Sequence, residues 1–442
     1  MKQKIRIGCG AGFSGDRIEP AIVLADKGEL DYLVLECLAE RTIALAQKRK
    51  LLDVRKGYDV LLERRIIGLL PLLLKNNVRL VTNMGAANPI EAARTIIEIA
   101  GGLKVNLKVA AVSGDDVLPV VRQQAANMMD IENGRALIEY DIVSANAYLG
   151  MEAILEALGT GAQIIVTGRV ADPSLFLAPM VHEFGWKRED YDRLGKGTVV
   201  GHLLECAGQV TGGYFADGIK KKADHLENLG HPFADVSSDG TAIISKVEGT
   251  GGVVNLQTAK EQLLYEVMNP HEYYTPDVIA DFTSVRLSEI ETNKVKVTGG
   301  AGKAKPSTYK VSIGYKAFYL GEGEISYAGP ASYERARLAA EIVEKRLRGK
   351  FDDIHIDFIG VQSLHKTTFE NKIAPYEVRL RIATKAQTSE DAALVGEEIE
   401  ALYTNGPAAG GGARKYVNEV IGIVSTLIER SSIYPHVTLF ES

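Results

Sequence analysis

Four side chains able to do chemistry fall on one short stretch of this chain. In Gly201-His202-Leu203-Leu204-Glu205-Cys206-Ala207-Gly208-Gln209-Val210-Thr211-Gly212-Gly213, His202, Glu205, Cys206 and Gln209 stand at i, i+3, i+4 and i+7. On a helix those positions share one face. The stretch predicts a helix to about Thr211, stopped by the glycine pair. Histidine can be a general base near neutral pH, and a glutamate beside it can raise its pKa or fix its tautomer. Cys206 can be a nucleophile if His202 helps to ionise it. The same trio can hold a metal. A polar face at a domain junction, with Cys206 packed as a small hydrophobe, gives the same pattern. His202, Glu205 and Cys206 are therefore the candidate catalytic residues, with Gln209 beside them, and the metal is left open.

A second group is Gly8-Cys9-Gly10-Ala11-Gly12-Phe13-Ser14-Gly15-Asp16-Arg17. Gly10, Gly12 and Gly15 spell G-x-G-x-x-G after a strand-like run, and Glu36 closes the next strand about 20 residues on, as in a dinucleotide site. Pro20 argues against it. A proline cannot sit inside the helix that should open at the third glycine, so that helix is expected to begin near Pro20, too far on to cradle a diphosphate. Asp16 adds a negative charge where phosphates would lie. Three readings stand open: a nicotinamide site for NAD(P), a tight turn needing glycine backbone freedom, and a substrate loop using Asp16 and Arg17.

Polar residues also cluster where strands are predicted to end: Glu36 with Glu40 and Arg41, Asn83 and Asn88, Gly114-Asp115-Asp116, Asn146 and Tyr148, then Thr167-Gly168-Arg169 with Asp172. Ligands of open α/β sheets bind outside the carboxyl ends of the strands. Asn88, Asp116 and Asp172 could each be a helix cap. Taken as a row, Asp16, Arg17, Glu36, Asn83, Asn88, Asp115, Asn146, Arg169, Asp172 and Gln209 are expected to line a substrate cleft. A last group, Asn405-Gly406-Pro407-Ala408-Ala409-Gly410-Gly411-Gly412-Ala413-Arg414, could present the free N–H groups of Gly410, Gly411 and Gly412 to an anion, with Arg414 adding charge. A flexible connection is the plainer reading.

The elements that must position these groups alternate. Strands are expected at Lys4–Cys9, Tyr32–Leu38, Arg79–Asn83, Lys108–Val112, Ile142–Ala145 and Gln163–Thr167, with helices at 58–77, from Pro89, at Met151–Leu158 and at Pro173–Phe184. Strand, loop and helix repeated in this way predict an α/β fold: a mostly parallel, doubly wound, Rossmann-like sheet over residues 1–215. After Asp217 the helical period is lost, and residues 216–442 read as a mixed α+β region ending in a small α+β unit from about residue 351.

Length and composition bound the rest. The chain has 442 residues, enough for two or three domains. A net charge of -6 argues against a nucleic-acid partner. Three scattered cysteines, Cys9, Cys37 and Cys206, make no disulfide framework, which fits a reducing cytoplasm. The longest apolar runs fall far short of the roughly 20 residues that cross a membrane, and the N-terminus carries no signal-peptide core.

The blocks Gly10–Arg17, Asn83–Pro89, Ala145–Gly150, Thr167–Asp172, Gly201–Gly213 and Gly406–Gly412 together resemble the acyclic terpene utilisation (AtuA-like) family over nearly the whole chain. Where the family pattern expects a glycine, this sequence has Ala409. Longer members carry a small extra C-terminal domain. This chain resembles the short form, so such a domain would be a separate partner chain. The resemblance implies bacterial breakdown of branched acyclic terpenoids through CoA thioesters, and it carries over no catalytic residue and no cofactor. The resulting expectation is a homo-oligomeric enzyme of lyase or hydratase type acting on a small branched carboxylate or its CoA thioester. His202 or Glu205 would move protons, Arg169 and Arg17 would hold an anion, and Asn83 and Asn146 would orient the substrate. The alternatives are an NAD(P)-dependent oxidoreductase built on the Gly10–Gly15 loop and a non-catalytic subunit.

Overall fold

In the computed structural model, which describes residues 2–365 and 375–442, the first half alternates as the pattern predicts. It runs β1 (Lys4–Ala11), α1 (Glu19–Lys27), β2 (Tyr32–Leu35), α2 (Glu40–Leu52), α3 (Leu62–Lys75), β3 (Arg79–Thr82), α4 (Pro89–Gly102), β4 (Lys108–Ser113), α5 (Leu118–Gln124), β5 (Ile142–Ala147), α6 (Met151–Gly159), β6 (Ile164–Thr167), α7 (Ser174–Phe184) and α8 (Tyr191–Glu205). Helix α1 opens at Glu19 with Pro20 in its first turn, where a missing N–H costs nothing. Helix α3 buries Leu62, Ile66, Leu69, Leu70 and Leu73 along one stripe. These side chains join those of α1 and α4 over the strand residues Leu33, Leu35, Leu80, Val109 and Val166 in one core. Strands β2 and β6 are buried along their whole length, which accounts for their unbroken apolar sequence.

Further strands follow: β7 (Pro232–Ser237), β8 (Ala242–Lys246), then α9 (Leu256–Leu264), β9 (Tyr273–Tyr274), β10 (Ile279–Asp281), β11 (Arg286–Glu291), β12 (Lys294–Thr298) and β13 (Ala301–Lys303). The remaining elements are β14 (Thr308–Ala328), α10 (Ser332–Leu347), β15 (Ile354–Ile359), β16 (Glu377–Ala386), α11 (Ser389–Asn405), β17 (Gly411–Glu429) and β18 (His436–Glu441).

The main sheet runs β11-β12-β8-β7-β1-β2-β3-β6-β4-β18. Its centre, β1-β2-β3-β6-β4, is parallel. Antiparallel strands extend it on both sides, β7, β8, β12 and β11 beyond β1 and β18 beyond β4. Two expectations change with this topology. The sheet is mixed and lacks a doubly wound order, because the neighbour of β1 away from β2 is the antiparallel β7. Strand β5 also leaves this sheet for β14, with the Tyr148 amide donating to the Lys310 carbonyl at 2.9 Å.

The chain divides into two compact units, Met1–Gly314 with Ile423–Ser442 and Tyr315–Gly422. The break expected near residue 215 falls inside the first unit. The helical period fades there because β7 and β8 add antiparallel strands to the sheet already begun. The second unit packs α10 and α11 on Ile325, Tyr327, Val378, Leu380 and Ile382. It holds Ala409 in the left-handed region, at φ 59°. A side chain there costs about 1–2 kcal/mol, which glycine escapes in part. Ala409→Gly is expected to raise the unfolding free energy by about 1 kcal/mol in urea denaturation; an unchanged midpoint would show that the turn carries no strain.

Candidate active site

Register brings the strand ends level. Ala11 stands beside Leu35, Leu35 beside Thr82, and Thr82 beside Val166. Gly12, Glu36 and Asn83 therefore leave the sheet along one edge, beside Thr167, the last residue of β6. Over that edge lies a cavity of about 560 Å³. The glycine loop gives it Gly12, Phe13 and Asp16. The turn after β2 gives Glu36, Leu38, Ala39 and Glu40, and the turns after β5 and β6 give Tyr148 and Asp172. The end of α8 and the chain beyond it give Glu205, Cys206, Gly208, Gln209, Gly213 and Tyr214. Leu229 and His231 ahead of β7, and Tyr265 and Glu266 after α9, complete the wall.

Of the residues singled out in the sequence, Asp16, Glu36, Asp172, Glu205, Cys206 and Gln209 line this one cavity. Others stand behind it. Asn83 donates to Glu36 Oε1 at 2.8 Å and accepts from the Cys37 amide, so it orients Glu36 rather than a ligand. Asn146 and the Arg169 amide both donate to Asp115 Oδ2, at 2.8 and 2.9 Å, and burial lifts Asp115 to about 6. The Arg169 guanidinium is buried and already spent on the Leu38 and Val170 carbonyls and on Asp172. It acts as the internal counterion of the acidic wall, with Asp172, Glu36 and Glu40 around it. Asn88 sits at the N-cap position, but its side chain donates to the Val54 and Lys56 carbonyls at 2.8 Å. Arg17 donates to the Leu226 and Glu227 carbonyls and lines a smaller neighbouring cavity. Gly410, Gly411, Gly412 and Arg414 belong to the second unit. There β17 begins at Gly411 and the Ala413 amide donates to the Tyr403 hydroxyl at 3.0 Å.

Helix α8 stops at Glu205, sooner than the sequence suggests. Ala207 takes φ 43° and a 3₁₀ turn, Ala207–Gln209, follows. The four polar residues are thus split. Glu205, Cys206 and Gln209 face the cavity, while His202 points inward, 1% exposed, against Tyr273 and Phe282 at ring distances of 5.3 and 5.4 Å. Its Nδ1 lies 2.9 Å from Glu205 Oε1. Burial lowers His202 to about 4, whereas a glutamate neighbour alone would raise it. Burial, with Asp172 and Glu266 adding their charges, lifts Glu205 well above the ordinary carboxylate range. Both partners thus favour their neutral forms, and the contact is a neutral hydrogen bond rather than an ion pair. Glu36 is lifted in the same way by burial and by Asp172. Burial and Glu205 push the Cys206 thiol up, so a protonated thiol faces the cavity. Among the described residues no three His, Cys, Asp or Glu side chains come together as a metal site, the trio at the end of α8 included.

Sequence reasoning passed over His231. The pairing of β7 with β1 puts Phe233 opposite Gly8, and His231, just ahead of β7, reaches Gly10 with its side chain. Its Nδ1 donates to the Gly10 carbonyl at 3.1 Å. That bond fixes the proton on Nδ1 and leaves Nε2 with a free lone pair. Burial lowers the His231 pKa, so the ring is neutral. Glu266 and Tyr214, also passed over, hold φ of 59° and 57° in the cavity wall. Non-glycine residues kept in the left-handed region gather where function over-determines the backbone.

The glycine loop has its own explanation. Arg65, fully buried, donates to the Ser14 and Asp16 carbonyls at 3.1 Å, and Asp16 accepts from the Gly12 amide at 2.7 Å. A Cβ on Gly10 would meet Leu35 and Ala21, and one on Gly12 would meet the Cys206 backbone. These two glycines answer to packing inside the protein, which needs no diphosphate. No helix among the described residues is long and apolar enough to cross a membrane. No curated protein and no solved structure matches the chain. A family model, that of the acyclic terpene utilisation family protein AtuA, matches residues 5–439, nearly the full length over which the motif blocks are spread, and the chain belongs to that family.

Proposed function

We propose that the first unit is an acid–base catalyst of hydratase or lyase type in the breakdown of acyclic terpenoids, and that its substrate is a branched acyl group carried as a thioester. Family membership supports the pathway. The observation that carries the reaction type is the pairing of two buried, proton-bearing carboxyls, Glu36 and Glu205, with the free Nε2 of His231 in one cavity. Opposed pKa shifts of this kind divide the acid from the base. In the hydration direction His231 takes a proton from water as the water oxygen bonds to one alkene carbon. The π pair then captures a proton from Glu205 at the neighbouring carbon. Return of the proton from the imidazolium to the carboxylate closes the cycle, and elimination is the reverse.

The charge of the wall selects the form of the substrate. Asp16, Glu36, Glu40, Asp172, Glu205 and Glu266 all line the cavity. A free carboxylate about 4 Å from one ionised member would cost about 4 kcal/mol at a surface-like dielectric. A thioester carries no such charge at its reacting end. The test is to incubate the full chain with branched enoyl thioesters in heavy-oxygen water. Incorporation of one labelled hydroxyl supports the reading. No incorporation, with reduction of NAD(P) by a hydroxyacyl thioester in its place, would replace it with the oxidoreductase reading.

A further inference from the structure

A second cavity of about 460 Å³ shares walls with the acidic one: Tyr148 and Asp172 line both. Its remaining walls differ in character. Tyr273, Tyr309, Pro276 and Pro306 make most of its inner surface apolar and aromatic. Ile131, Tyr274 and Leu427 also line it and are 53%, 63% and 49% exposed, so large apolar groups ring its opening. Tyr148, on the shared wall, is held in place. Its hydroxyl donates to Glu40 at 2.5 Å, and the cations of Arg169 and Lys310 lie 4.5 and 5.1 Å from its ring centre. A ring tied at its edge and flanked by two cations is a fixed partition.

We infer that this second cavity takes the apolar branched chain of the substrate, whose reacting carbons lie on the acidic side of Tyr148 and Asp172. The inference rests on the reading of the acidic cavity as the reaction chamber. The chemistry of the two spaces is complementary. A chain of methylenes and methyls gains from leaving water against tyrosine and proline faces, and a wall of six carboxyl groups offers it nothing. Tyr148 then sets how far the chain can advance before its reacting end meets Glu205 and His231. It is a specificity-determining residue that takes no part in proton transfer.

Calorimetric titration of the full chain with 1-alkanols from butanol to decanol reads the chamber without any turnover. The neutral hydroxyl stands for the reacting end and the alkyl chain for the tail. Affinity is expected to rise about fourfold per methylene in the parent chain. Thr308→Trp fills the chamber from its half-buried first β14 residue, and Leu427→Trp narrows the opening at an exposed position where folding is not at risk. In both variants decanol should bind about tenfold or more weaker, the worth of two methylenes, with butanol unchanged. A parent series with no dependence on chain length, or variant series parallel to the parent's, would overturn the inference. Glu205→Gln, on the acidic side only, should keep the parent's gain per methylene whatever it does to the absolute affinity. A steep alkanol series with no labelled product therefore sinks the proposed reaction and leaves the chamber standing, and labelled product with a flat series does the opposite.

Discussion

Glu205→Gln is expected to lower turnover about 10²–10⁴-fold, the usual worth of a positioned acid, and to leave a protein more stable than its parent above neutral pH. Both effects come from one carboxyl. Glu205 is the last residue of α8, where the helix dipole disfavours negative charge. Its Oε2 is buried with no hydrogen-bond partner among the described residues, and burial, Asp172 and Glu266 all hold its proton on. A carboxyl whose folded-state pKa lies above its unfolded value stabilises the fold fully below the unfolded pKa of about 4.3 and loses that contribution as pH rises through the folded value. Parental stability should therefore decline on the alkaline side, and the amide, which cannot ionise, should lose part of that decline; Glu36, Asp115, Asp172 and Asp277, whose carboxyls burial also lifts, contribute to the remainder. The acid side has another cause. His202 is depressed to about 4, so its contribution is present above the unfolded value of about 6.5 and is lost as pH falls through about 4. Urea denaturation from about pH 4 to 9 for parent and variant reads both limbs. A variant that keeps turnover would remove Glu205 from proton transfer, and one whose alkaline limb matches the parent's would show that its carboxyl does not hold a raised pKa.

Local spacing carried much of this site and non-local pairing hid the rest. His202, Glu205 and Cys206 could be read together because they fall within five consecutive residues at the end of one helix. What they face could not be read, since Tyr273 and Phe282 reach His202 from 71 and 80 residues on. The row of strand-end residues was legible because strands buried on both faces announce their limits in sequence. Its division into a wall (Asp16, Glu36, Asp172) and a supporting layer (Asn83, Asp115, Asn146, Arg169) was not, because that division depends on which side chains bond to each other. His231 had no signature, since it meets Gly10 only because β7, which it precedes, pairs with β1. The fold was legible to the same depth. Alternation gave the parallel centre of the sheet, while the departure of β5 and the addition of β7 and β8 are choices of partner that periodicity does not encode.

Gly12→Ala is expected to lower stability by about 1–3 kcal/mol, the cost of overpacking a filled site, and to remove most of the turnover with it. An added Cβ would lie 2.5 Å from the Cys206 carbonyl carbon, 2.8 Å from its Cα and 2.9 Å from the Ala207 nitrogen. All three are backbone atoms, so no side chain can turn aside to make room. They also sit where α8 gives way to the left-handed Ala207, with Glu205 immediately before and Gln209 just beyond. Any shift that admits the methyl group therefore displaces cavity groups together. Gly15→Ala is the control from the same motif. The atoms nearest its Cβ would all belong to the Phe13 ring, a side chain that is 58% exposed and can give way, so stability and turnover should change little. A phosphate-cradling loop would make the opposite demand, with both glycines serving a diphosphate and both substitutions weakening NAD(P) binding. Urea denaturation and turnover for the two variants, beside an NAD(P) titration of the parent, separate the cases. A Gly12→Ala protein as stable as its parent would mean that the glycine loop and the end of α8 do not pack in contact. A loss confined to Gly12→Ala, with no NAD(P) binding, would identify the motif as the packing joint that holds the acidic wall in place.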